Sequence, residues 1–80
     1  MSKYAALKRH LEAQPGPSCE MTFDEVAEIV GGLPSSARTH SAWWSNEVEG
    51  QHVQAHAWMD AGWRVTWHNL TAERVRFSRG

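Results

Sequence analysis

The sequence predicts an α+β fold, a small helical domain closed by a C-terminal β-hairpin. Apolar residues recur at helical spacing as far as residue 62, and from Trp63 onward they alternate with polar residues, which is the period of a β-strand. Eighty residues are expected to form one domain with a modest core. Five tryptophans should supply much of that core, because each ring buries a large apolar area.

The first predicted helix covers SKYAALKRHLEAQ. Tyr4, Leu7 and Leu11 lie on one apolar stripe, and Ser2 can cap the start. The segment QPGPS ends this helix, since proline cannot continue it and glycine favours a turn.

The second predicted helix has the clearest local signature, in MTFDEVAEIVGG. Thr22 is a strong N-cap and Glu25 lies three residues further on, which together form a capping box. Val26, Ile29 and Val30 give the buried stripe, and the glycine pair at 31–32 supplies the left-handed stop.

Two more helices are predicted before the hairpin. Pro34 suits the first turn of a third helix, PSSARTHSAWWS, and a helix, a tight glycine-containing turn and a helix form a helix-turn-helix pattern. NEVEGQ is a polar loop, and HVQAHAWMDAG is a fourth helix stopped by Gly62.

The C-terminal hairpin is predicted from alternation. WRVTWHN places Trp63, Val65 and Trp67 on an apolar face, RVRFSR does the same with Val75 and Phe77, and NLTAE joins the two strands. A short strand over Cys19–Met21 would add a third strand. Apart from the extra helix, the resulting order is that of a winged helix, so we expect one winged-helix-like domain over residues 1–80.

The chain also resembles a family of small uncharacterised bacterial and phage domains. The shared pattern is TFxEVxxIxG, then LPxSA, WWxN, AxAW and AGW. The matching positions are Thr22, Phe23, Glu25, Ile29, Gly31, Leu33, Pro34, Ser36, Ala37, Trp43, Trp44, Asn46, His52, Ala55, Ala57, Trp58, Ala61, Gly62 and Trp63. An insertion, EVEG, separates Asn46 from His52 here. The resemblance carries no activity over, but the family's occurrence in phages and near nucleases implies work on DNA.

Charge is unevenly distributed along the chain. The formal net charge is −1, yet both ends are basic, whereas residues 12–60 are acidic apart from Arg38. Near-neutrality argues against a general polyanion binder and leaves a local basic face open. No apolar run approaches the roughly 20 residues that span a bilayer, so no membrane association is expected. The lone Cys19 and a start without an apolar signal segment predict a cytoplasmic protein.

Motifs for catalysis or a cofactor are missing from the sequence. No motif places a histidine and an acid beside Cys19, and the sequence contains no phosphate-binding glycine motif. We therefore expect no enzyme and no cofactor. His52 and His56 are spaced for two ligands on one helix face, but without further ligands this is a weak metal signal.

Nucleic acid, with double-stranded DNA as the expected form, is the favoured partner. The third helix would enter the groove, and the hairpin would contact phosphates as a wing does. Of Trp43 and Trp44, one should be core and the other partly exposed as a stacking platform. The predicted binding residues are Ser35, Ser36, Arg38, Thr39, Trp43, Asn46, Arg64, Arg74 and Arg76.

The alternative is a protein-interaction module, either an inhibitor or a homodimerisation domain. It would act through an exposed tryptophan and an acidic flank that faces a basic partner. The acids concerned are Glu20, Asp24, Glu25, Glu28, Glu47 and Glu49.

Overall fold

The computed structural model describes residues 3–47 and 53–79, and the fold over these ranges is mixed α+β. Helices come first and a hairpin comes last, as predicted. In chain order the elements are α1 (Ala5–Glu12), β1 (Ser18–Thr22), α2 (Phe23–Val30), α3 (Ser35–Thr39), a 3₁₀ helix (Ser41–Trp44), α4 (Ala55–Met59), β2 (Trp63–Asn69) and β3 (Arg74–Arg79).

The three strands form one antiparallel sheet in the order β1-β3-β2. The predicted short strand is therefore confirmed, and it pairs with the last strand rather than with the next one along the chain. Cys19 lies opposite Phe77, and Met21 lies opposite Val75. These side chains point toward the helices, so one face of the sheet covers the core and the other faces solvent.

The core is built around stacked aromatic rings. The Trp44 ring stacks on Phe23 with centroids 4.8 Å apart and on Trp58 at 6.1 Å, and Trp58 contacts Phe77 of the sheet at 5.5 Å. The Trp44 indole donates a 2.7 Å hydrogen bond from Nε1 to the carbonyl of Ala37, so burial leaves no unpaired donor there. The rings thus join α2, α3, α4 and the sheet.

Local sequence signals explain the first two helices. Leu7 and Leu11 of α1 are fully buried, whereas its predicted cap, Ser2, lies outside the described residues. At the start of α2, the Glu25 backbone N–H donates to Thr22 Oγ1 at 3.1 Å. The Thr22 N–H donates back to Glu25 Oε1 at 2.8 Å, so the predicted capping box is confirmed. Gly31 ends α2 with a φ of 82°, a left-handed conformation that suits glycine.

Replacing Thr22 by alanine should therefore destabilise the domain by about 1 kcal/mol, because an N–H at the start of α2 loses its acceptor. For a domain of this size the melting temperature should fall by roughly 4–8 °C. Thermal unfolding followed by circular dichroism measures the change. Thr22→Ser keeps the hydroxyl and serves as the control. Equal melting temperatures for the alanine variant and wild type would contradict a contribution of the cap to stability.

The third predicted helix is broken in two. At His40 the backbone turns extended, with φ −125° and ψ 115°, and a 3₁₀ turn carries both tryptophans. The expectation that one of the two would be partly exposed is wrong, because Trp43 is 8% exposed and Trp44 is 1% exposed. The break frees the tryptophans from the spacing of one continuous helix. The Trp43 ring can then pack edge-on against Tyr4 while Trp44 reaches Phe23.

The fourth predicted helix is confirmed over Ala55–Met59. Its predicted start at His52 and most of the loop before it lie outside the described residues. Over the ranges that are described, none of the helices has the length and apolar character needed to cross a membrane.

The hairpin departs from its predicted alternation at one place. Val65 lies opposite Phe77 and Trp67 lies opposite Arg76, so Thr66 is an extra residue, a β-bulge. The bulge shifts the side-chain parity by one. Trp67, predicted to be core, points outward and is 38% exposed, whereas His68 takes the inward position opposite Val75.

Candidate nucleic-acid interface

The predicted hairpin arginines meet on the solvent-facing side of the sheet, which we call the outer face. The strand registers place the side chains of alternate residues from all three strands on it, and most of them are exposed. Its members are Ser18, Glu20, Thr22, Arg64, Thr66, Trp67, Asn69, Arg74, Arg76 and Ser78.

Trp67 is the aromatic side chain of this face. The Arg76 guanidinium carbon lies 5.4 Å from the centroid of its ring, a cation–π contact that holds both side chains against the sheet. Among the described residues, Val53 and Trp67 are the exposed large hydrophobics. The other four tryptophans of the chain are buried. The exposed indole therefore stands apart from the packing of the core.

A single carboxylate links two of the arginines. Arg74 donates from Nε to Glu20 Oε2 at 2.8 Å, and Arg76 donates from Nη2 to Glu20 Oε1 at 3.1 Å. The hydrogen bonds from Arg74 and then Arg76 lower the pKa of Glu20 below its usual value, so the carboxylate stays charged at neutral pH. The ion pairs are exposed, and exposed pairs of this kind are weak.

Arg64 completes the cationic set. It is exposed, and within the described part of the chain no carboxylate pairs with it. Beside it the hydroxyls of Thr66 and Ser78 are 2.8 Å apart and hydrogen-bonded across the strands. The outer face thus carries three arginines and one glutamate, a formal charge of +2, although the whole chain has a formal charge of −1.

The residues predicted on the third helix do not join this face. Ser35 and Thr39 are exposed on α3, but the Thr39 hydroxyl donates back to the Ser35 carbonyl at 3.0 Å. Ser36 is half-buried. With only five residues, α3 offers a short surface for a groove.

Arg38 is held by two acids. Its Nη2 donates to Asp24 Oδ1 and its Nη1 donates to Glu73 Oε2, both at 2.9 Å. Glu73 sits in the hairpin turn at a φ of 54°, and its carbonyl accepts the N–H of Phe23 at 2.8 Å. Arg38 therefore joins the start of α2 and α3 to the hairpin turn, and the cluster of one cation and two acids carries a formal charge of −1.

Asn46 completes the hydrogen bonding of the edge strand β2. Its Nδ2 donates to the Val65 carbonyl at 2.9 Å, and its Oδ1 accepts the Val65 N–H at 2.8 Å. The same Oδ1 accepts the Trp58 indole N–H at 3.0 Å. One amide thus replaces the backbone of a neighbouring strand and satisfies a core tryptophan. Trp43 is likewise internal, and its carbonyl accepts a 3.0 Å hydrogen bond from Gln54 Nε2.

Two further places could hold ligands. An open, largely apolar cleft of about 310 Å³ lies between α1 and α4, beside the exposed Val53. A second groove, beside β1, is lined by Glu20, Glu25 and Glu28 as well as by Cys19. Burial, and then the charge of Glu25, raise the pKa of the Cys19 thiol, which opposes the reactive thiolate. In the described ranges no three histidine, cysteine or acidic side chains come together for a metal ion; His52 lies outside them.

Sequence reasoning missed two members of the outer face. Strict alternation gives Trp67 the same parity as Trp63 and therefore predicts that its side chain is in the core. The sequence places Glu20 in an acidic segment. Its arginine partners lie more than fifty positions away along the chain, so the sequence does not show the pairing. The unequal lengths of β2 and β3, seven and six residues, would have been a signal for the bulge.

Comparison with known proteins gives one result that covers almost the whole chain. The family described as Domain of unknown function (DUF7662) matches residues 4–80. No curated protein and no solved structure matches the sequence. Because the match includes every element of the fold from α1 to β3, the chain belongs to the DUF7662 family.

Proposed function

We propose that this domain binds nucleic acid without catalysis, and that it does so through the outer face. The observation that carries the proposal is an exposed tryptophan that contacts Arg76 and shares the exposed outer face of the sheet with Arg64 and Arg74. Arginine supplies cations for phosphate, and an indole supplies a surface on which a base can stack.

The fold supports this proposal by analogy. A helix, a short strand, four helical segments including the 3₁₀ helix, and a final hairpin follow one another, and the short strand pairs with the last strand. We propose that the domain is winged-helix-like, with α4 as an additional helix. In this arrangement the hairpin is the wing, and the nucleic-acid contacts are made there. A cytoplasmic location and a bacterial or phage origin stay predictions.

Electrostatics favours the hairpin over α3 as the contact surface. The outer face has a formal charge of +2, which attracts a phosphate backbone. The cluster around Arg38 carries two acids for one cation and would repel the same backbone. The polar atoms of Arg38 and Asn46 already have protein partners. We therefore assign both residues a structural role and no contact with the ligand.

The alternative proposal, a protein-interaction module, rests on other residues. Trp43 and Trp44 are buried and offer no contact surface, and Asp24 and Glu20 are paired with arginines. Glu49 lies outside the described residues. The cleft beside Val53 is the apolar surface on which such a module, or a homodimer, would depend.

Replacing Arg74 and Arg76 together by alanine should weaken binding to nucleic acid and reduce its dependence on salt. Each phosphate contact contributes about −0.7 for single strands and −0.9 for duplex to the slope of log affinity against log salt. Removing both should flatten the slope by about 0.7 to 0.9 unit if the two arginines share one phosphate and by about 1.4 to 1.8 units if each holds its own. Fluorescence anisotropy with single-stranded and duplex DNA and RNA, at about 50 mM and about 200 mM salt, measures it.

The matched control is Lys8→Ala with Arg9→Ala, which removes the same charge from α1. It should leave the slope unchanged, because neither residue lies on the sheet. Absence of binding by the folded wild-type protein to every oligonucleotide at about 50 mM salt would overturn the proposed function.

A further inference from the structure

We infer that the ligand of the outer face is a single strand, with one base on Trp67 and a phosphate in the place that Glu20 now occupies between Arg74 and Arg76. This inference rests on the proposed function and names its ligand class. It follows from a row of three side chains across the sheet. Glu20 lies opposite Arg76 on one side, and Trp67 lies opposite Arg76 on the other.

The aromatic end of the row selects an unpaired base. In a duplex the flat surfaces of the bases are covered by their stacked neighbours, and only their edges reach the grooves. An exposed indole on an open sheet can pair its ring only with a base that has left such a stack. The neighbouring Arg76 guanidinium holds the indole in position and adds its own charge to the contact.

The anionic end of the row shows where a phosphate would bind. Glu20 uses both carboxylate oxygens, one for Arg74 and one for Arg76, and a phosphate presents two oxygens to the same donors. Glu20 therefore acts as an internal competitor that a phosphate must displace. Displacement is inexpensive because the pairs are exposed and exposed ion pairs stabilise little.

Stacking on Trp67, and not the competition by Glu20, makes the site discriminate between ligands. A free phosphate offers no base to stack, and a duplex offers phosphates without an accessible ring. A single strand offers both groups, so only it gains the stacking energy in addition to the charge contacts. Glu20 thus lowers affinity for every polyanion and leaves the stacked base to decide which ligand stays bound.

The first test removes the competitor. Glu20→Gln keeps the size of the side chain and removes its charge. Binding to a mixed-sequence single strand of about 12 nucleotides should become about three- to tenfold tighter. The salt slope should steepen by up to about 0.7 unit. Glu12→Gln on α1, which changes the net charge equally at an exposed position off the sheet, should leave both unchanged.

The second test removes the stacking surface. Trp67→Ala should weaken single-strand binding by roughly 5- to 150-fold, which corresponds to one stacked base, and should change duplex binding little. Trp67→Phe should retain most of the affinity. Because the other tryptophans are buried, a single strand should quench the fluorescence of wild type and leave that of Trp67→Phe unchanged. Parallel DNA and RNA strands show which sugar the site prefers.

The outcomes separate the inference from the function on which it rests. Duplex binding equal to or tighter than single-strand binding, with no effect of Trp67→Ala, overturns the single-strand inference and leaves nucleic-acid binding standing. Unchanged or weaker affinity in Glu20→Gln overturns the competitor role. If folded wild type binds no nucleic acid, both proposals fail and a protein becomes the expected occupant of the face. Melting curves of all variants establish that each is folded.

Discussion

Replacing Trp58 by alanine should destabilise this domain more than any other change proposed above. The side chain is fully buried, stacks on Trp44 and contacts Phe77. Its indole N–H is bonded to Asn46. Removing so large a ring leaves a cavity and costs about 3–5 kcal/mol. Since a small domain is stable by only about 5–15 kcal/mol, the substitution should remove from about a fifth to all of the free energy of unfolding. Urea titration followed by circular dichroism measures the loss.

Trp67→Ala is the matched control for this prediction, because it is the same substitution at an exposed tryptophan. It should cost less than about 1 kcal/mol. The pair therefore separates burial from residue type. Similar urea midpoints for the two variants would show that Trp67 is packed as well as Trp58, and would reverse the assignment of the faces of β2.

Asn46→Ala is expected to have the second largest effect on stability. The substitution removes two hydrogen bonds to the backbone of Val65 and one from the Trp58 indole. Partly buried donors left without partners cost about 1–3 kcal/mol each, so a total loss of about 2–4 kcal/mol is expected. Urea titration measures the stability, and hydrogen exchange of the Val65 amide should become faster.

Asn46→Asp should lose only part of the stability that Asn46→Ala loses. Aspartate keeps an acceptor for the Val65 and Trp58 N–H groups and loses the donor to the Val65 carbonyl, so an intermediate loss is expected. Wild-type stability in Asn46→Ala, together with weaker binding to oligonucleotides, would return Asn46 to the contact surface that the sequence predicted for it.

Features set by neighbouring residues were predictable. The capping box needs only Thr22 and Glu25, three positions apart, and the stop at Gly31 needs one residue that tolerates positive φ. The two hairpin strands follow from alternation. These signals remain visible in sequence because backbone hydrogen bonding and side-chain period decide them locally.

Features set by distant partners were not predictable. The break at His40 follows from where Trp43 and Trp44 can pack, which the sequence of α3 does not record. The uneven charge pattern can be seen in the sequence, but the ion pairs that it forms cannot. Folding brings the acidic middle of the chain against its basic C-terminal end. Glu20 with Arg74 and Arg76 is part of that pairing. Arginines that seemed free for a ligand are therefore partly neutralised within the fold.

The bulge at Thr66 determines that Trp67 is the solvent-facing aromatic side chain of β2. In a regular ladder Trp67 would have the inward parity of Trp63, and the extra residue turns it outward. Deleting the Thr66 codon would remove the extra residue and leave Trp67 opposite Arg76 and His68 opposite Val75, so both side chains would keep their faces. The opposite change, keeping Thr66 but pairing it with Arg76 in a regular ladder, would place Trp67 opposite Val75 and turn its ring inward. Related chains that lack the residue at this position should therefore keep an outward tryptophan on a strand without a bulge.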